Sequence, residues 1–259
     1  MDLGIGGRSA IVCASSKGLG RACAVALAQA GCSLVINGRD EKALAETAAE
    51  LRANYDVAVT AVAGDVGDPA CQEELLAAGP APDILVTNGG GPQPREFLAL
   101  SRDQILRDMT LGMLAPIEMI QHVIEPMTQR GFGRIVNITS IAAIHSAPGV
   151  ATSSGARAGL IAFLAGIART VASCNVSINN LLPYKFETDR IRDTIAFAAG
   201  KSGSTFEQQS EALRGEIPAG RFGRPEEFGN VCAFLCSAHA GYLTGQNIRL
   251  DGGFHPAAF

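Results

Sequence analysis

Ile11-Val12-Cys13-Ala14-Ser15-Ser16-Lys17-Gly18-Leu19-Gly20-Arg21-Ala22-Cys23 is the stretch that decides the fold. An apolar, β-branched run passes through a short loop of small residues into an Ala-rich segment. That segment carries apolar residues at i, i+3 and i+4, so the order is strand, tight turn, helix. The glycines permit the turn and let backbone approach a ligand closely. The first turn of the helix offers unpaired N–H groups and a partial positive charge, a setting suited to a pyrophosphate.

Outward from this unit the pattern repeats. Short, nearly continuous apolar runs lie at 9–13, 33–37, 58–62, 84–87, 134–138, 177–182 and 247–250. Strands covered on both faces read this way. Helical patterns fall at 18–30, 40–53, 101–130, 148–172 and 225–238, with Asp40 as a cap and Pro225 at a first-turn position. Alternation of this kind predicts a doubly wound α/β fold, a parallel sheet of about seven strands with helices on both faces. No linker or second hydrophobic unit divides the chain, so residues 1–259 are expected to form one domain. The polar, weakly periodic segment 187–220 reads as a helical lid over the ligand cleft.

Composition narrows the function. The 259 residues are 47% hydrophobic and 18% charged, with a net charge of −4, which excludes disorder. The positive charges are scattered, so neither nucleic acid nor an anionic membrane is an expected partner. The seven cysteines are irregularly spaced and mostly sit in apolar runs, as buried free thiols do. His122, His145, His239 and His255 are too dispersed to suggest a metal site. The N-terminus lacks a signal-peptide pattern and no apolar run reaches about 18 residues, so a cytoplasmic protein is expected.

The loop Ala14-Ser15-Ser16-Lys17-Gly18-Leu19-Gly20 resembles the GxxxGxG segment of the short-chain dehydrogenases/reductases, with Ala14 at the first glycine. The resemblance covers essentially the whole chain. Asp65-Val66 matches the pair that contacts adenine, and Thr87-Asn88-Gly89-Gly90 matches Asn-Asn-Ala-Gly. Pro183-Tyr184-Lys185-Phe186-Glu187-Thr188 matches Pro-Gly-x-x-x-Thr beside the nicotinamide, and the closing segments at 223–227, 242–246 and 251–253 also match. The resemblance implies a nicotinamide dinucleotide bound by Ser15, Ser16, Lys17, Gly18, Leu19, Gly20, Arg39, Asp65, Val66, Asn88, Gly89, Gly90, Arg157, Pro183 and Thr188. It also implies a homo-oligomer, commonly a tetramer. NAD-preferring relatives carry an acid at the position of Gly38. Here that acid is missing and Arg39 follows, with Lys17 in reach, so NADP(H) is expected over NAD(H).

The family's catalytic pattern is a Ser, a Tyr thirteen residues on and a Lys four further, with an Asn on the preceding helix. Ser140 fits the first place; the others hold Ser153, Arg157 and Thr110. The context Arg157-Ala158-Gly159-Leu160 fixes the register. A serine hydroxyl is far less acidic than a phenol of pKa about 10, so Ser153 is a poor proton donor. Arg157 keeps a cation toward the ribose but cannot relay protons. Tyr184, with Lys185 to lower its pKa, is a candidate relocated acid, and His145 is another.

These residues support an NADP(H)-dependent oxidoreductase acting on a carbonyl or alcohol through an atypical site. The alternative is a non-catalytic NADP(H) or metabolite sensor, which loss of the Tyr and Lys supports directly. A third reading is lyase or dehalogenase chemistry, since halohydrin dehalogenases resemble this family and use Ser, Tyr and Arg.

Overall fold

The computed structural model describes residues 1–91 and 94–257. Among them, seven strands form one wholly parallel sheet: β1 (Ser9–Val12), β2 (Ser33–Gly38), β3 (Val59–Ala63), β4 (Ile84–Thr87), β5 (Gly133–Ile138), β6 (Val176–Pro183) and β7 (Asn247–Leu250), in the order β3-β2-β1-β4-β5-β6-β7. The order reverses between β1 and β4, which opens a crevice at the C-terminal strand ends.

Two hydrophobic cores cover the sheet. On one face lie α1 (Gly18–Gln29), α2 (Glu41–Asn54) and α9 (Pro225–Cys236), with Leu27, Leu44, Leu51 and Phe228 fully buried. On the other lie α3 (Pro69–Ala77), α5 (Ala115–Arg130) and α6 (Ala151–Val171), with Leu75, Met119, Met127 and Leu160. Burying such side chains stabilises by about 1.5–3 kcal/mol each. With its following turn, α6 is apolar and long enough by composition to cross a bilayer, yet Leu160, Leu164 and Ala168 on it belong to the sheet's core.

The expected strands agree within one or two residues. The single helix expected over 101–130 is instead broken into α4 (Arg102–Met109), a π-helical turn at Thr110–Leu114, and α5. Gly112 explains the break: a Cβ there would lie 2.8 Å from Ala156 Cβ on α6, so close packing against α6 accompanies the widened turn. α3 went unpredicted, although Asp68 caps its first turn and Pro69 follows. The 187–220 segment holds α7 (Asp189–Ser202) and α8 (Phe206–Gly215), which pack around Ile195, Ile217 and Phe222.

A buried polar rung crosses four strands near the crevice. Asn137 Oδ1 accepts from Thr87 Oγ1 at 2.7 Å, Asn137 Nδ2 donates to Asn180 Oδ1 at 2.9 Å, and Asn180 Nδ2 donates to Asn247 Oδ1 at 2.8 Å. Each member satisfies the next, so the rung fixes the β4–β5–β6–β7 register.

Candidate active site

The phosphate loop is built from backbone. Ser15 N donates to Asn37 O at 2.7 Å, and Ala14 N to Asn37 Oδ1 at 3.2 Å, pinning the loop to β2. Ala14 adopts φ +44°, the left-handed region in which glycine is at ease, so its methyl is strained but accommodated. A Cβ on Gly20 would meet Ala14 O at 2.3 Å, so only glycine lets α1 start this close to the strand. The α1 N-terminus has no side-chain cap and no acid in its first turn. Its amides are therefore free for an anionic phosphate, and the site fits a dinucleotide. Thr188, at the start of α7, stands directly above: a Cβ on Gly18 would lie 3.7 Å from Thr188 Cγ2.

The end of β2 carries cations, where an adenosine end was expected. Arg39 reaches across the loop after β4, with Nη2 3.2 Å from where a Gly90 Cβ would be and Nη1 3.8 Å from Asp65 Oδ2. Lys17 Nζ pairs with Asp40 at 3.0 Å, and Asp40 also caps α2. Sequence alone did not foretell what fills the place of the missing acid. Ser16 Oγ lies 2.7 Å from a hypothetical Gly38 Cβ, so a longer residue at 38 would displace Ser16. Asp65 turns its own loop through Gly67 N at 3.0 Å, Val66 is buried, and Asn88 Nδ2 donates to Ala14 O at 3.0 Å. Gly89 backs onto Leu111 O, where a Cβ would approach to 2.7 Å.

Ser140, Ser153 and Arg157, the positions expected to be catalytic, converge at the end of β5. Ser140 Oγ accepts from Ala142 N at 3.1 Å, fixing the hydroxyl at the strand's tip. On α6, Arg157 Nε donates to Ser153 Oγ at 3.1 Å, and Nη1 donates to Thr139 O and, at 3.4 Å, to Ile138 O. Burial, and secondarily the charge of Arg190, bring its guanidinium down to about 10, so it stays protonated at neutral pH. Thr110 Oγ1, at the start of the π-helical turn, donates back to Leu106 O of α4.

Tyr184 departs from the expected relocated acid. Its hydroxyl donates to Glu216 Oε2 at 3.1 Å, and Lys185 Nζ binds the same oxygen at 2.5 Å. Burial first, then Glu216, raises the Tyr184 pKa where a neighbouring lysine was expected to lower it. Its ring stacks on Phe254, centroids 3.8 Å apart, and Phe254 meets His145 edge-on at 5.0 Å. Sequence reasoning missed Glu216, Phe254, His255 and Arg190. Arg190 Nη1 donates to Gly91 O at 3.0 Å, joining α7 to the loop after β4. Among the described residues no group of three or more His, Cys, Asp or Glu is placed to hold a metal.

A family model described as Enoyl-(Acyl carrier protein) reductase matches residues 13–255. The 3-oxoacyl-[acyl-carrier-protein] reductase FabG of Aquifex aeolicus is 31% identical over 257 residues, covering 98% of this chain and 99% of that protein. Among solved structures, L-sorbose reductase from Gluconobacter frateurii complexed with NADPH and L-sorbose superposes with a TM-score of 0.94 at 28% identity, covering 99% and 100% of the two chains. A 3-oxoacyl (acyl-carrier-protein) reductase from Agrobacterium tumefaciens C58 with NADP bound gives 0.87 at 29% identity, covering 97% and 95%. By sequence and by fold, the chain belongs to the short-chain dehydrogenase/reductase family of oxidoreductases.

Proposed function

We propose that this protein is an NADP(H)-dependent oxidoreductase that moves hydride between the nicotinamide and a small carbonyl or alcohol substrate through a site lacking the family's tyrosine and lysine. One observation carries the reading: the uncapped, acid-free N-terminus of α1 beneath Thr188, with Arg39 and Lys17 at its adenosine end. Arg39 suits a 2′-phosphate because its guanidinium can grip two oxygens at once. When bound, the reduced nicotinamide supplies the hydride. Pro183, at the end of β6, and Thr188 would hold its ring, and Arg157 would hold its ribose. Ser140 and Ser153 hydroxyls polarise the carbonyl oxygen by hydrogen bonding. The segment 187–220 closes over substrate as a lid, with Arg190 tying it to Gly91.

A silent NADP(H) sensor is the second reading, favoured by Ser153 being held by Arg157 with no phenol beside it. Dehalogenase chemistry ranks below both, because the α1 N-terminus keeps room for a dinucleotide phosphate. We propose a cytoplasmic homotetramer, with exposed Phe163 and Ile167 of α6, Phe234 of α9, and Tyr242 and Leu243 ahead of β7 as its contact surfaces. NADPH consumption with a panel of 3-oxoacyl thioesters, ketones and aldehydes tests the reading. Turnover supports the oxidoreductase, and tight binding without consumption supports the sensor.

A further inference from the structure

We infer that His145, paired with His255 of the C-terminal tail, is the proton donor of the site. The inference rests on the oxidoreductase reading above and fills the gap that reading leaves.

The C-terminal ends of three adjacent strands place the pair at the ligand edge of the sheet. His145 stands five residues beyond Ser140 at the tip of β5, and His145 N donates to Ile141 O at 2.9 Å. The neighbouring Ser146 Oγ donates to Ser154 Oγ at 3.2 Å, so this loop is fastened to the turn of α6 that carries Ser153. From beyond β7, Asp251 turns the tail back: Oδ1 accepts from Gly253 N at 2.9 Å and Oδ2 from His255 N at 3.0 Å. Phe254 is then clamped between Tyr184, from beyond β6, and His145. The outcome is a contact between residues 110 apart in sequence, His145 Nδ1 to His255 Nδ1 at 3.3 Å.

Two imidazoles meeting nitrogen to nitrogen must divide one hydrogen between them, one donating and one accepting. Once one ring is protonated, the bond is charge-assisted. With its Nδ1 engaged by His255, His145 keeps Nε2 as the nitrogen able to face substrate. The other candidates are committed elsewhere. Tyr184 donates to Glu216, Arg157 stays charged, and the Ser153 hydroxyl, whose oxygen accepts from Arg157, can polarise a carbonyl but is too weak an acid to give up its proton. Among the described residues, Asp251 binds the His255 backbone, and Tyr184 stacks on the Phe254 that meets His145, with Glu216 and Lys185 joined to one another behind it.

The step balances. Hydride from the reduced nicotinamide forms the new C–H bond, and the carbonyl π pair moves onto oxygen. That oxygen takes the proton from Nε2–H of the imidazolium, leaving a neutral pair. The pair regains its proton from solvent, since His145 is exposed. The carbonyl is reduced and the nicotinamide oxidised.

The test uses the full chain in two arms. Imidazole ¹⁵N spectra against pH, without substrate, should show coupled titration of the two rings, with His255→Gln shifting the His145 midpoint. Independent midpoints would overturn the pairing. In the second arm, NADPH oxidation is followed against pH with a carbonyl accepted by the wild type. His145→Gln should lower kcat about 10²-fold and abolish its alkaline decline, with NADPH affinity unchanged. His255→Gln should move that decline in pH. An unaltered kcat and profile in His145→Gln would overturn the donor assignment alone. A wild type that binds NADPH but reduces nothing would overturn the oxidoreductase reading, and the donor with it, while the spectra still decide the pairing.

Discussion

Arg157 donates from Nε to Ser153 Oγ at 3.1 Å, one turn back along α6, and turns its other edge onto the carbonyls at the end of β5. A cation is thus fixed at the crevice by neutral partners. Charge at this place survives without a group able to pass protons, which under the proposed function separates cofactor holding from acid catalysis.

Arg157→Ala is expected to weaken NADPH binding roughly ten- to a hundredfold, the loss of about 1.5–3 kcal/mol typical of a charge-assisted hydrogen bond. Fluorescence titration of NADPH measures this directly. An unchanged Kd would remove Arg157 from the cofactor site.

The proposed function makes Arg39 the residue that tells the two dinucleotides apart. Arg39→Ala should raise the Kd for NADPH at least tenfold and leave that for NADH within about twofold, because only the 2′-phosphate needs the guanidinium. Parallel titrations with both cofactors check it. Equal losses would contradict the NADP(H) assignment.

Ala14 at φ +44° stores strain that glycine would release. The left-handed region costs an L-residue about 1–2 kcal/mol, while glycine's greater unfolded freedom returns about 0.5–1 kcal/mol of that. Ala14→Gly should therefore stabilise by about 0.5–1 kcal/mol in urea denaturation, with no loss of NADPH affinity.

Alkaline pH should destabilise the fold through buried thiols. Burial pushes Cys13 and Cys32 from an ordinary 9.0 up to about 12. Above pH 9 the unfolded thiols ionise while the folded ones do not, so the unfolded state binds fewer protons. Stability is then full below about pH 9 and falls as pH rises toward 12. Urea midpoints at pH 8, 9.5 and 11 measure the decline, and Cys32→Ala should flatten part of it.

Much of the fold was legible in sequence because strands buried on both faces are apolar nearly throughout, as Ile84–Thr87 is. α3 was missed because Cys71, Gln72, Glu73 and Glu74 blur its apolar stripe. The break at Thr110–Leu114 follows from Gly112 meeting Ala156, a tertiary contact no local pattern announces. In the site, the phosphate loop, Arg39, Ser140 and Arg157 could be placed by motif and register. The Tyr184–Phe254 stack and the His145–His255 contact join distant segments, so sequence spacing held no trace of them. Burial first, and then Glu216, reversed the expected direction of the Tyr184 pKa, and nothing local linked Glu216 to β6.

The most direct test of the account is NADPH oxidation by purified wild type and Tyr184→Phe across the carbonyl panel. The account predicts cofactor-dependent turnover by both proteins, faster with NADPH than with NADH, because the proton does not come from Tyr184. Tight NADPH binding, confirmed by fluorescence in the same samples, with no oxidation by the wild type would contradict it and leave the sensor in its place.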